Sequence, residues 1–207
     1  MVIMTTSYGS RISRVMIFID GNYFENHIKM KIEEGRKYTE FEGIRWNEVR
    51  GEIRYAPLID HLVNHSDFGT PTLVQCHYYD GLPDPDQNLS YLDELEQTQR
   101  SNGLKNQHLE KKEYLDKIAM LDYFEVRRGK AVYCKNLNEK GKEEWSFRQK
   151  GVDSLIAIDM LTKAYPGHYD VGILVTGDLD FIEIVKSVKN AGVNIMGAYF
   201  EKKCLKN

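Results

Sequence analysis

The sequence predicts an α/β fold built around a mainly parallel sheet. Two short apolar runs, Val15–Ile19 and Val171–Val175, have the composition of strands that are covered on both faces of such a sheet. Each run ends in a turn that contains an acid, and each is followed by a segment with a period of about 3.6 residues, which indicates a helix. Alternating strands and helices of this kind are typical of parallel sheets.

Length and composition indicate one globular domain. The chain has 207 residues, of which 42% are hydrophobic and 29% charged, with a net charge of −3. These values are ordinary for a globular protein and do not by themselves indicate nucleic-acid binding, so any basic surface must be local. We expect a domain over residues 14–200, preceded by a lead-in at 1–13 and followed by a tail at 201–207.

The cysteines and apolar runs favour a cytoplasmic protein. Cys76, Cys134 and Cys204 are widely spaced and odd in number, which predicts reduced thiols rather than a zinc site or a disulfide framework. No apolar run is long enough to cross a bilayer, and the first residues lack the apolar core of a signal peptide. We therefore expect no membrane association.

Local patterns place the elements of the first half of the chain. We predict strands at 14–19 and 72–80, each followed by a turn, the second at 81–86. Helices are predicted from Tyr23 to about Gly35 and from Asn47 to about Val63, with a loop at 36–43 between them. Pro57 marks a kink or a boundary in the second helix.

The second half follows the same rules. Residues 87–121 have a helical period, which predicts one long helix or two helices divided at Gly103. A strand is predicted at 123–129. A β-hairpin inserted at 130–149 has arms at 131–135 and 144–148. The remaining elements are a helix at 150–161, a strand at 171–175, a helix at 179–190 and a strand from Val193.

Several acids fall at the ends of these elements. Asp20 ends the first strand, Asp178 and Asp180 follow the strand at 171–175, and Asp153 lies in the first turn of a helix. The carboxyl ends of parallel strands are where such folds bind ligands. Carboxylates that converge there repel one another unless a cation lies among them, and oxygen ligands favour Mg²⁺ or Mn²⁺. Asp80, at the end of the strand at 72–80, is a fifth candidate.

Each acid also has a purely structural explanation. Asp20, Asp178 or Asp180 would cap the helix that follows it, and Asp153 would favour the positive end of its helix. Asp80 would be a turn residue. Asp159 lies on a different face from Asp153 and is expected to be structural or to support the site from behind. Caps alone do not account for acids at the ends of three separate elements.

The hairpin combines cations with aromatic rings. It carries Arg128, Lys130, Lys135, Trp145, Phe147, Arg148 and Lys150. Single-stranded nucleic acid needs both, since cations bind its phosphates and rings stack on its bases. The alternative is a solvated ribbon with Trp145 packed on the core. His61 and His65 lack a third ligand for zinc, and no glycine-rich phosphate loop is present.

Three motifs in this order resemble the NYN domain, a PIN-like nuclease family, in its LabA-like branch. They are I-F-I-D-G-N at 17–22, K-G-V-D-S-L-I-A-I-D-M-L at 150–161 and T-G-D-L-D-F at 176–181. The resemblance extends from about residue 14 to residue 200. It implies a Rossmann-like three-layer α/β/α fold with an acidic ribonuclease site that depends on Mg²⁺ or Mn²⁺.

The resemblance also assigns roles to residues. It implies that the metal is bound by Asp20, Asp153, Asp178 and Asp180. Asn22 would polarise or position a water or phosphate, and Lys150 would hold phosphate, while Gly177 would let the backbone approach and Phe181 would pack beneath the loop. The chain departs from the family pattern at Tyr23, because many relatives have Asn there and this chain has its Asn one residue earlier.

We therefore predict a cytoplasmic, metal-dependent endoribonuclease that acts on RNA, with single-stranded RNA as partner. Substrate contacts are predicted for Lys150, Arg148, Arg128, Lys130 and Trp145. The first alternative is a PIN-like module that binds RNA or a protein without cutting. The second is a haloacid-dehalogenase-like phosphatase, which is disfavoured because the D-x-D-x-T motif is missing after the first strand. A second copy of the chain or another protein are further candidate partners.

Overall fold

The computed structural model describes residues 12–33, 39–41, 44–46, 55–64, 70–90, 92, 94–137 and 141–200. In chain order, the strands described are β1 (Ile12–Asp20), β2 (Thr39–Phe41), β3 (Ile44–Trp46), β4 (Thr70–Pro83), β5 (Phe124–Leu137), β6 (Glu143–Lys150), β7 (Val171–Val175) and β8 (Asn194–Ala198). The helices described are α1 (Gly21–Glu33), α2 (Ala56–Asn64), α3 (Glu94–Ala119), α4 (Val152–Ala164) and α5 (Ile182–Asn190).

A mostly parallel sheet of six strands organises the fold, as predicted. Its strand order is β6-β5-β4-β1-β7-β8. β1 pairs in parallel with β4 on one side and with β7 on the other, and only β6 runs antiparallel, against β5. β2 and β3 form a separate antiparallel pair.

Helices cover both faces of the sheet. Alternate residues of a strand point to opposite faces, and β1 follows this rule. Ile17 and Ile19 pack with Phe24 of α1 in one buried cluster, to which α2 and α3 also contribute. Met16 and Phe18 pack in a second cluster with residues of α4 and α5. The predicted three-layer α/β/α arrangement is confirmed.

The site lies where the chain reverses its direction across the sheet. After β1 the chain continues into α1 on one face, and after β7 it continues into α5 on the opposite face. These neighbouring strands therefore leave a crevice between their carboxyl ends, because their connections diverge. Such a switch point is the usual ligand site of open α/β sheets.

Some predicted boundaries are wrong. Residues 81–83 were expected in a turn but continue β4, because this stretch pairs with Gly129–Ala131 of β5. The predicted loop at 36–43 contains β2. Helix α3 begins at Glu94 rather than near residue 87, and Gly103 does not divide it. A single helical glycine costs only about 1 kcal/mol, which the rest of the helix can absorb.

The predicted hairpin is present and is continuous with the sheet. The strand expected at 123–129 and the first hairpin arm form one long strand, β5. This strand pairs with β4 along its first half and with β6 along its second, and Lys130 lies in both pairings. The hairpin therefore extends one edge of the sheet toward the carboxyl ends of β1 and β4.

Several expectations lie outside the described residues. They are the lead-in up to residue 11, the start of the second predicted helix at 47–54, His65, Cys204 and the tail at 201–207. Pro57 falls in the first turn of α2, where proline is tolerated, so it marks a boundary. Cys76 is a buried free thiol. Across the described residues, no helix is both long enough and apolar enough to span a bilayer.

Candidate active site

Asp20 lies at the carboxyl end of β1, and both of its oxygens are engaged. The backbone N–H of Tyr23 donates to Oδ1 at 3.1 Å, which caps the first turn of α1. The hydroxyl of Thr176, just after β7, donates to Oδ2 at 3.3 Å. The next residue, Gly21, has no room for a side chain, because the ring of Tyr78 packs against its Cα. Asp20 is thus held between the ends of two neighbouring strands.

The Thr176–Asp178 loop carries the second and third acids. The backbone N–H of Asp178 donates to the Thr176 hydroxyl at 3.3 Å, so Thr176 links Asp178 to Asp20. Asp178 caps a 3₁₀ turn at Leu179–Phe181 by accepting the backbone N–H of Asp180 at 2.9 Å. Phe181 is buried, whereas Asp178 and Asp180 are exposed at the surface of the crevice.

The pKa values show that the acids act on one another. Burial raises the pKa of Asp20, its hydrogen bonds from Tyr23 and Thr176 oppose this rise, and the negative charges of Asp153 and Asp178 add to it. The pKa of Asp153, in the first turn of α4, is raised by burial and then by the charges of Asp178 and Asp180. Acids from three separate elements therefore act on one another's charge across the crevice.

The capping explanation is correct for two of these acids, Asp20 and Asp178. Asp20 caps α1 and Asp178 caps the 3₁₀ turn, each through one oxygen. A carboxylate has two oxygens with several acceptor positions, so a capping acid can also face a cation. Caps orient these side chains but do not remove their mutual repulsion.

The four acids offer a donor set that suits a hard divalent cation. All of their ligand atoms are carboxylate oxygens, which Mg²⁺ and Mn²⁺ prefer. In the part of the chain that the structure describes, no three His, Cys, Asp or Glu side chains lie close enough to form a ready metal site. Mg²⁺ usually keeps several waters and needs only one or two carboxylates directly. An ion held partly through water fits this arrangement.

Asn22 is placed apart from the four acids. Its side-chain oxygen accepts a hydrogen bond from Asn26 at 3.0 Å, and it lines a cleft on the α1 and α3 side of the sheet. The polar partner of Asp20 from this part of the chain is instead the backbone N–H of Tyr23. The role predicted for Asn22 at a water or phosphate stays a prediction.

The predicted substrate residues lie along the β5–β6 ribbon. Lys130 and Lys150 are exposed and directly opposed across the two strands, and Arg148 is exposed opposite Val132. Arg128 forms an ion pair with Asp116 of α3. The ring of Trp145 stacks on Tyr133 at 5.2 Å and packs against a small buried cluster that includes Leu89 and Leu104, as expected if Trp145 packs on the core.

The two remaining acids have partners elsewhere. Asp159 is buried and accepts hydrogen bonds from Tyr79 and Arg127, so it is structural, as expected. Asp80, the fifth candidate, lies within β4 rather than in a turn, and it is buried there in an ion pair with Lys111 of α3 at 2.5 Å. Glu25 of α1 bonds to the same ammonium group, so Asp80 belongs to a separate network on the α1 and α3 side of the sheet.

Sequence reasoning missed three participants. Thr176 bridges Asp20 and Asp178, and its place in the T-G-D motif was the only available signal. The ring of Tyr23 packs on Gly177, where a Cβ would overlap it. Lys111 balances Asp80 and Glu25, and nothing in the highly polar sequence of α3 distinguishes it from its neighbours.

The fold is that of a PIN-like α/β protein. The family model of the NYN domain matches residues 14–207, and the chain therefore belongs to the NYN domain family. NYN domains are generally ribonucleases, and PIN-like nucleases typically use divalent metals. Searches of curated proteins and of solved structures found no match to the chain. The LabA-like branch stays a prediction.

Proposed function

We propose that this protein is a Mg²⁺- or Mn²⁺-dependent endoribonuclease that hydrolyses single-stranded RNA at the four acids. The observation that carries the proposal is the hydroxyl of Thr176, which joins Asp20 at the end of β1 to the backbone of Asp178 after β7, while the charges of Asp153 and Asp178 add to the rise of the Asp20 pKa that burial causes. Negative charge concentrated in this way is relieved by a bound cation. The general activity of NYN domains supports the same reaction.

Each residue of the crevice has a separate task in this proposal. Asp20, Asp153, Asp178 and Asp180 would hold the cation. When bound, a divalent cation makes an attacking water more acidic and stabilises the negative charge that develops on phosphorus. The Thr176 hydroxyl and the Tyr23 N–H orient the carboxylate of Asp20, which is engaged through both oxygens. Asn22 remains the candidate for positioning the phosphate or the water.

The β5–β6 ribbon is the proposed binding surface for RNA. Like charges that face each other across two strands destabilise a sheet, and Lys130 faces Lys150 in this way. A phosphate backbone lying along the ribbon would remove that repulsion. Arg148 adds another exposed cation on the same face of β6 as Lys150, whereas the ring of Trp145, the remaining substrate candidate, lies on the opposite face and stacks on Tyr133.

A nuclease assay with matched variants tests the proposal. Labelled single-stranded RNA is incubated with purified protein in Mn²⁺, in Mg²⁺ and in EDTA. We expect endonucleolytic cleavage that EDTA abolishes and that the double variant Asp20→Asn, Asp178→Asn loses. Asp122→Asn, which removes an exposed carboxylate before β5, serves as the control and should cut normally. Cleavage by the double variant would refute the assignment.

The same assay separates the enzyme from a non-catalytic binding module. The exposed cations of the ribbon would support RNA binding in either case. If the wild-type protein binds RNA but does not cut it with either metal, the binding module becomes the correct description. The free thiol of Cys76 is consistent with the cytoplasmic location that we propose for either activity.

A further inference from the structure

A cleft of about 450 Å³ lies beside the acid crevice, between α1, α3 and the β5–β6 ribbon. Its volume falls within the usual range for a small-molecule site, which begins at about 300 Å³. Asn22 lines the cleft and lies only two residues beyond Asp20. The roles assigned to the acids and to the ribbon leave this cleft unexplained.

The floor of the cleft is a fixed polar network. Lys111 lies 2.5 Å from Asp80 and 3.1 Å from Glu25, so one ammonium group serves two buried carboxylates. Asp80 also accepts the N–H of Gly81 at 2.7 Å and the side-chain amide of Gln149 at 2.6 Å. Tyr78 donates to Glu25 at 2.6 Å. These bonds preorganise the floor before any ligand binds.

The charge of the cleft excludes a phosphate as its occupant. Two carboxylates and one ammonium group leave a net negative charge on the floor. Glu110 of α3, which is exposed, adds another carboxylate to the lining. An anion would be repelled there, whereas a neutral group with N–H donors would be attracted.

The walls of the cleft suit a flat ring. Phe147 lines it from β6 with 36% of its surface exposed, and Pro83 and Ala131 supply further apolar surface. Gln149 gives its amide nitrogen to Asp80, so its carbonyl oxygen remains to act as an acceptor. With Glu110, the lining therefore combines an aromatic face with hydrogen-bond acceptors, which matches a nucleobase that carries an amino group.

The register of the sheet places the cleft next to the acids. Asp20 pairs with Tyr79, and the following residue, Asp80, forms the floor of the cleft. Successive strand residues point to opposite faces. Tyr79 accordingly bonds to Asp159 of α4, whereas Asp80 bonds to Lys111 of α3. An RNA strand that crosses this edge of the sheet would meet the acids and the cleft in succession.

We propose that this cleft is a base-binding subsite for a nucleotide adjacent to the cleaved phosphate, with a preference for bases that carry an exocyclic amino group. The inference rests on the proposed ribonuclease function. Guanine fits best, since it presents a ring N–H and an amino group side by side to acceptors such as Glu110 and Gln149. Uracil, which has no amino group, fits least well.

A titration with nucleosides tests the cleft without requiring cleavage. Guanosine and uridine, which carry no phosphate, are added to the wild-type protein and to Phe147→Ala while NMR chemical shifts are followed. We expect guanosine to shift resonances of the cleft and to bind more tightly than uridine. Because each base stacks on an aromatic ring in such sites, Phe147→Ala should weaken guanosine binding by about 5- to 150-fold. Tyr165→Ala, which removes an exposed ring after α4, is the control.

A second variant tests the cleft in case Phe147→Ala misfolds. Glu110 is exposed, so Glu110→Gln should fold normally and should reduce the preference for guanosine over uridine. Guanosine that leaves the cleft unperturbed, or that binds Phe147→Ala and Tyr165→Ala equally well, would overturn the proposal. An unchanged base preference in Glu110→Gln would also contradict it.

Cleavage assays separate this inference from the proposed function. An RNA that contains one guanosine is compared with the same RNA in which that nucleotide carries no base. We expect Phe147→Ala to cut the complete RNA about tenfold less efficiently and to cut the abasic RNA as the wild type does. Normal cleavage without guanosine binding would refute the subsite and support the nuclease activity. Guanosine binding without any cleavage would refute the nuclease activity and support a nucleoside-binding site.

Discussion

At Asp20, hydrogen bonding and repulsion act on the same carboxylate. The Tyr23 N–H and the Thr176 hydroxyl stabilise its charged form, while burial and the charges of Asp153 and Asp178 destabilise it. The net effect is a raised pKa in the folded protein. Above that pKa, ionised Asp20 therefore lowers the free energy of unfolding, and this loss disappears as the pH falls. A bound cation would remove the penalty at neutral pH.

The first prediction concerns Asp20→Asn. Asn keeps an oxygen for the Tyr23 N–H but carries no charge, so in metal-free buffer at neutral pH the variant should melt a few degrees above the wild type. Mn²⁺ should raise the melting temperature of the wild type more than that of the variant. Differential scanning calorimetry measures both effects, with Asp122→Asn as control. A lower metal-free melting temperature for Asp20→Asn would contradict the argument.

At His77, burial also favours the neutral form, but here the folded protein loses stability at low pH rather than at high pH. Its side chain is 0% exposed and its ring stacks on Phe18 at 5.5 Å. Neither ring nitrogen has a hydrogen bond within the described residues, although Glu125 lies 3.5 Å from Nδ1. Burial, with the charges of Lys163 and Arg127, lowers its pKa to about 3. The unfolded chain therefore binds a proton that the folded protein does not.

The second prediction is a loss of stability in acid that depends on His77. Stability rises with pH wherever the unfolded state binds more protons, so this contribution is lost as pH falls below about 6.5. By about pH 5 the wild type should lose about 2 kcal/mol relative to His77→Phe. Urea unfolding at several pH values measures the difference, and His168→Phe, at an exposed position, is the control. Parallel pH profiles for wild type and His77→Phe would contradict the prediction.

At the scale of elements, one tyrosine joins three segments around the acids. Tyr23 lies in α1, its ring packs on Gly177 in the loop after β7, and its hydroxyl accepts the N–H of Phe200 at 2.8 Å. Its backbone N–H also donates to Asp20. Tyr23 therefore positions the loop that carries Asp178, although the family pattern places Asn at this point of the motif.

The third prediction follows from this packing. The added Cβ in Gly177→Ala would overlap the Tyr23 ring, so it should cost about 1–3 kcal/mol of stability and lower kcat. Gly197→Ala, where a Cβ meets nothing within 4 Å, is the matched control. In a double-mutant cycle, Tyr23→Ala should remove most of the cost of Gly177→Ala. Strictly additive stabilities would show that the two residues do not act on each other.

At the scale of the whole molecule, Lys111 ties one helical layer to the sheet. It lies on α3 and bonds to Glu25 of α1 and to Asp80 of β4. Burial raises the pKa of Asp80 to about 6 despite Lys111, and Glu25 adds to the rise. Without Lys111, two buried carboxylates would face each other with no cation. This one charge therefore links α1 and α3 to β4 in addition to their apolar packing.

The fourth prediction is that Lys111→Met is strongly destabilising. Breaking a buried pair by removing one partner typically costs about 3–5 kcal/mol, because an uncompensated charge remains. The loss should be smaller at about pH 5 than at about pH 8, since acid neutralises the remaining carboxylates. Lys112→Met, next to it but exposed, is the control and should change stability little. Equal effects of the two variants in chemical unfolding would refute the role of Lys111.

Most of the elements could be predicted from the sequence because periodicity is local. The apolar runs of β1 and β7 and the helical period of α4 are visible within a few residues. The boundaries that were missed depend on partners elsewhere. β4 extends to Pro83 because β5 pairs with it, and β5 is continuous because it pairs with β4 and then with β6. No local pattern contains this information.

The sequence alone determined the mainly parallel α/β fold, the family resemblance and the presence of acids at the ends of β1, β7 and the start of α4. Only the tertiary structure decided which of these acids meet. Asp20 meets Thr176, which is 156 positions away, because β7 lies beside β1 in the sheet. Asp80 is turned to the opposite face, where Lys111 balances it. The physical reason is that hydrophobic periodicity is encoded within short segments, whereas strand order and charge pairing join residues far apart in the chain.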